Sequence, residues 1–288
     1  MKEIVVISGK GGTGKTSIAA SLFTRLPKPV LADCDVDAPD LHILFSPQDE
    51  RHEEFIGTQK ARPQSHSCSG CGACVEACRF GALVPGEPPT VLDSRCEGCG
   101  VCSHLCPSGA IELVDVAVGT ISRGQTDWGP MVRAKLVPGE ETSGKLVYAV
   151  REKARAQAEA LGAQTLLIDG SPGIGCNVIS SLTGANQVVL VTEPTRSAFH
   201  DLQRVHELVN RFGIPCVLVV NKWNLHPPIA EEMEEYAQRN SLPLLMRLPY
   251  DLGMVDAITH REVPSKALPD LFQQSGFESL VEALIEAN

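Results

Sequence analysis

Ser8-Gly9-Lys10-Gly11-Gly12-Thr13-Gly14-Lys15-Thr16 follows directly on the apolar run Ile4-Val5-Val6-Ile7 and leads into a helix-like stretch, Thr16–Arg25. A glycine-rich turn between a buried strand and a helix lets backbone N–H groups turn inward around phosphate oxygens, over the positive end of the helix. Gly9, Gly11, Gly12, Thr13 and Gly14 supply that cradle. Lys15 stands where a lysine reaches the β- and γ-phosphates, and the Thr16 hydroxyl stands where it ligates Mg²⁺.

Outward from the loop, the same grammar repeats. Val30–Ala32, Thr165–Ile168, Gln187–Val191 and Val217–Val220 are short runs, mainly apolar, as expected of strands covered on both faces. Helix-like stretches at Thr16–Arg25, Val147–Leu161 and Ser197–Phe212 separate strands of this kind. The alternation predicts a doubly wound, mostly parallel α/β sheet. The C-terminal stripe Phe277, Leu280, Val281, Leu284 and Ile285 has helical spacing, with Glu278, Glu282 and Glu286 among its polar positions. Anionic lipid would repel such a face, so this helix is expected to dock on the core.

The chain has 288 residues, 43% of them hydrophobic, with a formal charge of −10. That balance supports a sizeable core and excludes a general nucleic-acid binder, which needs a basic footprint. The longest apolar runs are strand-sized, and Met1-Lys2-Glu3 leads straight into the first of them. No stable membrane insertion is expected, and the protein reads as soluble and cytoplasmic, where clustered thiols hold metal more often than they form disulfides.

Eight of the eleven cysteines lie between Cys68 and Cys106. Cys68-x2-Cys71-x2-Cys74-x3-Cys78 is followed by Cys96-x2-Cys99-x2-Cys102-x3-Cys106-Pro107. This is the bacterial ferredoxin spacing given twice, and it predicts an inserted ferredoxin-like α+β domain with two [4Fe–4S] clusters. In that spacing three cysteines of a run take one cluster and the fourth takes the other. Cys68, Cys71, Cys74 and Cys106 are therefore one expected set, and Cys96, Cys99, Cys102 and Cys78 the second. The stretches Cys68–Leu83 and Cys96–Ile111 also share a Gly-Ala pair, Gly81-Ala82 and Gly109-Ala110. Paired C-x2-C units also suit tetrahedral zinc; the four-plus-four pattern, the x3 step and the shared pair favour clusters. Arg79 stands where ferredoxins usually carry proline, which alters a loop and removes no ligand. Cys34 and Cys216 read as packing residues.

Lys-Gly-Gly-x-Gly-Lys-Thr, from Lys10 to Thr16, resembles the deviant Walker A motif of the family that includes the MinD, ParA and Mrp ATPases and the nitrogenase iron protein. The resemblance implies an ATP-hydrolysing homodimer in which Lys10 reaches the partner's nucleotide and Lys15 serves its own. Asp33-Cys34-Asp35-Val36-Asp37-Ala38-Pro39 is similar to the family's first switch, with Asp35 the favoured carboxylate for Mg²⁺ or the attacking water, ahead of Asp37 and Asp40. Leu166-Leu167-Ile168-Asp169-Gly170-Ser171-Pro172-Gly173 is similar to its Walker B and second switch, implying that Asp169 holds Mg²⁺ through water. Asn221 and the Pro249-Tyr250-Asp251 loop are implied contacts of the base. Cys176 has the offset from Asp169 of a cluster-ligating cysteine in the nitrogenase iron protein, without a convincing second cysteine.

Residues 1–58 and 116–288 are thus expected to form one ATPase domain, interrupted by the insert at 59–115. A nucleotide switch and clusters on one chain imply a role in iron–sulfur cluster or metallocofactor assembly and transfer, with an iron–sulfur or metalloprotein acceptor as partner. One alternative is an ATP-gated electron donor with a redox partner. The other is a MinD/ParA-like positioning or adaptor ATPase.

Overall fold

The computed structural model describes residues 1–140 and 143–286. The chain divides into two compact units. The first comprises the described parts of 1–52, 121–135 and 143–288; the second comprises 53–120 and the described part of 136–142.

The strands in chain order are β1 (Lys2–Ser8), β2 (Pro29–Asp33), β3 (Gln48–Pro63), β4 (Leu83–Val84), β5 (Thr90–Val91), β6 (Ile111–Gln125), β7 (Pro130–Leu136), β8 (Thr165–Asp169), β9 (Gln187–Thr192), β10 (Cys216–Asn221) and β11 (Leu244–Leu248). Nine of them form one sheet in the order β11-β10-β9-β1-β8-β2-β7-β6-β3. Every pairing from β11 across to β7 is parallel. The fold is thus an α/β type with a mostly parallel central sheet.

The strand cores are buried because helices cover both faces. Ile4, Val5, Val6 and Ile7 have no exposed surface. The helix Lys15–Phe23 buries Ile18, Leu22 and Phe23 in a core shared with Phe277, Leu280, Val281 and Leu284 of the helix Phe277–Glu286. The C-terminal helix is therefore docked as its stripe implied, although Ile285 lies outside the core at 48% exposure. Parallel register brings functional positions to one edge, since Asp33 of β2 pairs with Asp169 of β8. Ser8 ends β1 beside them, so the loop at 8–16 opens at the carboxyl end of the sheet, where α/β folds bind ligands.

The second unit holds the antiparallel pair β4–β5 and two one-turn helices, Ala73–Ala77 and Val101–Leu105. Each helix is preceded by a left-handed glycine, Gly72 at φ 76° and Gly100 at φ 79°. Its small core comprises Ala61, Leu83, Ile111 and Cys74. Two of the borders with the first unit run inside long strands, because β3 and β6 each begin in one unit and end in the other. The polar stretch Ser122–Gly129, read as a turn, splits accordingly. Ser122–Gln125 belong to β6, and the turn is the shorter piece closed by Thr126 N–H donating to the Gly129 carbonyl at 3.0 Å.

Candidate nucleotide site and cysteine cavities

Gly12 and Gly14 take left-handed backbone at φ 81° and 89°, which lets the loop turn back before the helix at Lys15. At Gly14 a side chain would also strike the Asn221 amide. Lys15 is only 6% exposed and donates to Asp169 Oδ1 at 2.7 Å, with Asp35 Oδ2 at 3.5 Å. The Thr16 hydroxyl donates to the other oxygen of Asp169, Oδ2, at 3.0 Å. Lys15, Thr16, Asp35 and Asp169 are thus brought together. Burial works against the Lys15 charge, but Asp169 and Asp35 outweigh it and raise its pKa.

The sequence favours Asp35 over Asp33, yet Asp33 stands deepest. It has no exposed surface; Oδ1 accepts the Asp35 N–H at 3.2 Å, and Oδ2 has no partner among the described residues. Burial, and then the charge of Asp169, push its carboxyl well above the usual range, with Lys15 opposing. Burial likewise raises Asp35. The signal in the sequence is its position at the carboxyl end of a buried strand, shared with Asp169. Three carboxylates around one lysine, one of them with an orphaned buried oxygen, suit a hard dication. Among the described residues no three His, Cys, Asp or Glu side chains converge as a cage for one ion. Mg²⁺ does not require such a cage, since it is held by one or two carboxylates, waters and phosphates.

Lys10 lies on the other side of the loop. Its ammonium contacts Glu193 Oε1 at 3.0 Å and donates to Thr195 Oγ1 at 3.2 Å and Ser197 Oγ at 3.3 Å. Thr195 also caps the helix Arg196–Arg211 by accepting the Ala198 N–H. Lys222 bridges Glu193 Oε2 at 2.9 Å and the Gly12 carbonyl at 2.7 Å. Burial alone would raise the Glu193 pKa, but hydrogen bonds from Lys222 and Lys10 win and lower it. Neither Glu193 nor Lys222 stands out in the sequence.

Asn221 and Pro249 meet the loop in one cavity of about 210 Å³, whose lining includes Gly12, Gly14, Lys222 and Tyr250. The Asn221 amide donates to the Thr13 carbonyl at 2.8 Å, so this residue also braces the loop. Asp37 accepts from Asn177 at 3.4 Å and its charge adds to what burial does to Asp35, while Asp40 precedes the helix Leu41–Phe45. Cys34 is fully buried, and burial raises its thiol pKa far out of reach of physiological ionisation. Burial pushes Cys216 up to about 11. Cys176 is exposed at the start of the helix Cys176–Leu182.

In the second unit the eight clustered cysteines line two separate cavities. One, of about 390 Å³, is lined by Cys68, Cys71, Cys74 and Cys106; the other, of about 210 Å³, by Cys78, Cys96, Cys99 and Cys102. Backbone N–H groups point at three of the sulfurs: Ala61 at Cys96 (3.5 Å), Ala82 at Cys78 (3.4 Å) and Ala110 at Cys106 (3.2 Å). The Gly-Ala pairs of the repeat supply two of those donors. Such donors suit a thiolate better than a thiol, because they stabilise negative charge on sulfur. Next to Ala61, the buried Lys60 donates to Glu140 Oε1 at 2.6 Å and to the Asp93 carbonyl at 2.7 Å, tying down the strand that carries the Cys96 contact. No motif in the sequence marks Lys60.

A family model described as the CobQ/CobB/MinD/ParA nucleotide binding domain matches residues 4–264. The chain belongs to this family. An uncharacterized protein of Methanocaldococcus jannaschii is 36% identical over 223 residues, 76% of this chain and 78% of that one. An iron–sulfur cluster carrier protein of Pyrococcus horikoshii is 20% identical over 311 residues, covering 98% of this chain and 85% of that protein. The structure of the septum site-determining protein MinD of Pyrococcus horikoshii with Mg-ADP aligns at a TM-score of 0.59 and 16% identity, covering 99% of this chain and 96% of that chain. The fold is that of MinD. None of the described helices is long and apolar enough to cross a membrane.

Proposed function

We propose that this chain is a nucleotide-switched, dimeric Mg²⁺–ATPase that carries two [4Fe–4S] clusters in its second unit and serves in iron–sulfur cluster or metallocofactor assembly and transfer. The observation that carries this reading is the sorting of eight cysteines around two cavities, each with three cysteines of one run and one of the other. That sorting matches the ligand exchange of two-cluster ferredoxins and supports a cluster in each cavity. The distant likeness to an iron–sulfur cluster carrier points the same way.

In this reading Gly9, Gly11, Gly12, Thr13 and Gly14 cradle the phosphates, and Lys15 exchanges Asp169 for the β- and γ-phosphates. Thr16, Asp35 and, through water, Asp169 would hold Mg²⁺, which would supply positive charge against the phosphates. Burial and Asp169 oppose a charge on Asp33, behind them, so it would carry one only beside a bound cation. Lys10 leaves Glu193 for the partner's nucleotide, and Asn221 and Pro249 flank the base. A dimer closed by ATP and reset by hydrolysis is a two-state device that can bias an attached unit. The eight cysteines would hold clusters that accept and release single electrons or pass to an acceptor.

Transfer of iron–sulfur clusters to an apo-acceptor, measured anaerobically with and without ATP, tests the reading. Nucleotide-dependent transfer is expected; transfer indifferent to nucleotide would sink it. A second reading draws on family membership and the MinD fold: the ATP switch positions or adapts a partner protein, and the second unit is its docking module. ATP-dependent capture of one partner without any cluster movement would favour that reading.

A further inference from the structure

The two halves of the second unit repeat one another in sequence, so each acts as the other's control. They differ in charge. The lining of the larger cavity, around Cys68, Cys71, Cys74 and Cys106, includes two carboxylates, Glu76 and Glu87, and among the described residues no Lys or Arg. The lining of the smaller cavity, around Cys78, Cys96, Cys99 and Cys102, includes one carboxylate, Glu97, and one cation, Arg79.

Matched glycines of the two repeats report the same contrast. At Gly70, between Cys68 and Cys71, the position a Cβ would take lies 2.5 Å from Glu87 Oε1. At its counterpart Gly98, between Cys96 and Cys99, that position meets the backbone carbonyl of Gln59, a neutral group. At Gly81, three residues after Cys78, the nearest atom is Arg95 Nη1 at 3.8 Å. At its counterpart Gly109, three residues after Cys106, no atom of the described residues lies within 4 Å. Each comparison puts negative charge beside the larger cavity or positive charge beside the smaller one. Arg79 is also the residue that departs from the proline usual after the fourth cysteine, and its counterpart after Cys106 is Pro107.

From this asymmetry, and resting on the cluster reading above, we infer that the two cluster sites are redox-inequivalent: the site at Cys78, Cys96, Cys99 and Cys102 takes an electron first, and Arg79 and Glu87 set the order. Reduction by an external one-electron donor, dithionite in the titration below, oxidises that donor and adds one negative charge to a cluster already held by four thiolates. A guanidinium at the wall favours that step, and carboxylates at the wall oppose it. The larger volume around Cys68, Cys71, Cys74 and Cys106, about 390 Å³ against 210 Å³, leaves more room for water, which works in the opposite direction by solvating the added charge there. It weakens the field of Glu76 and Glu87 without reversing its sign. The unit thereby gains a direction, with electrons settling at the site beside Arg79 and the carboxylate-lined site staying oxidised at moderate potential.

The test is an anaerobic redox titration of the full-length protein, reconstituted with iron and sulfide and followed by EPR, on wild type, Arg79→Gln, Arg79→Lys and Glu87→Gln. Two neighbouring clusters can split into two steps even when their sites are equivalent, so the variants make the assignment. Arg79→Gln is expected to move the higher-potential step downward and leave the lower one in place, while Arg79→Lys retains most of the wild-type position. Glu87→Gln is expected to move the lower step upward without changing the cavity's access to water. Iron counts on each variant show that both sites are still filled. A response of the lower step to Arg79→Gln, or of the higher step to Glu87→Gln, would overturn the inference while leaving the clusters intact. No response of either step would overturn it equally. A protein that takes up no cluster at all would instead overturn the cluster reading on which it rests.

Discussion

Asp33→Asn separates what the nucleotide site costs the fold from what it gives to ligand binding. Asp33 is fully buried, one carboxylate oxygen lacks a partner among the described residues, and burial followed by the charge of Asp169 raises its pKa well above the ordinary 3.8. The sign follows from linkage. Below about pH 4 the carboxyl is protonated in both folded and unfolded chains, and its titration contributes nothing. Above that, the unfolded chain ionises while the folded one resists, so stability falls by up to about 1.4 kcal/mol per pH unit until the folded group titrates. An asparagine side chain keeps an oxygen for the Asp35 N–H and removes this slope. The amide NH2 takes the unpartnered place of Oδ2, so the gain is the lost linkage slope less that amide's own burial cost, about 1–3 kcal/mol near pH 8. That corresponds to a rise in Tm of roughly 2–12 °C for a chain of this size. Thermal unfolding at pH 5 and pH 8, with EDTA and no nucleotide, reads it: the variant's advantage is small at pH 5 and larger at pH 8. With Mg²⁺ and ATP the order narrows or inverts, because wild type gains the linkage stabilisation of a ligand that the neutral amide no longer helps to hold. A variant less stable than wild type at pH 8 without ligand, or an advantage that does not change with pH, would refute the reasoning.

Three further outcomes are expected. Arg151, 2% exposed, donates to Glu3 Oε2 at 2.8 Å and to the Ser180 and Thr183 carbonyls at 2.6 Å each, so Arg151→Ala should cost about 2–4 kcal/mol in denaturant unfolding by leaving two carbonyls without this donor, while Glu3 keeps Arg155 on both oxygens. Lys10→Ala should keep the monomer's stability within about 1 kcal/mol, since its ion pair with Glu193 is partly exposed, yet abolish ATP-dependent dimerisation in light scattering. Cys78→Ser should lower iron from about eight to about four per chain and remove the EPR signal of the site shared with Cys96, not that of the site shared with Cys74; equal loss from both would contradict the crossed assignment.

Much of the nucleotide-binding unit was legible because its strands are buried on both faces. Ile4–Ile7 is a continuous apolar run and Thr165–Ile168 nearly so, and each extends by only one or two residues at an end in the structure. β3 was not legible. Gln48-Asp-Glu-Arg-His-Glu-Glu carries almost no apolar period, because most of its side chains are exposed. Pairing rather than burial makes it a strand, and pairing is a property of distant residues. β11, Leu244–Leu248, was equally hidden, a five-residue run too short to separate from its loop. Among site residues, Lys15 and Asp169 were visible through their motifs. Glu193 and Lys222 were not, since each acts through a contact to the loop that no local spacing announces. Asp33 was obscured because a carboxylate at a strand's end looks the same in sequence whether it caps a turn or sits without solvent.

The most direct test of the central claim is anaerobic purification followed by iron and acid-labile sulfide analysis with EPR of the dithionite-reduced protein, repeated with ATP. Roughly eight irons and eight sulfides per chain are expected, with signals of reduced [4Fe–4S] centres. Zinc in their place, or about four irons or fewer on a fully folded chain, would contradict it.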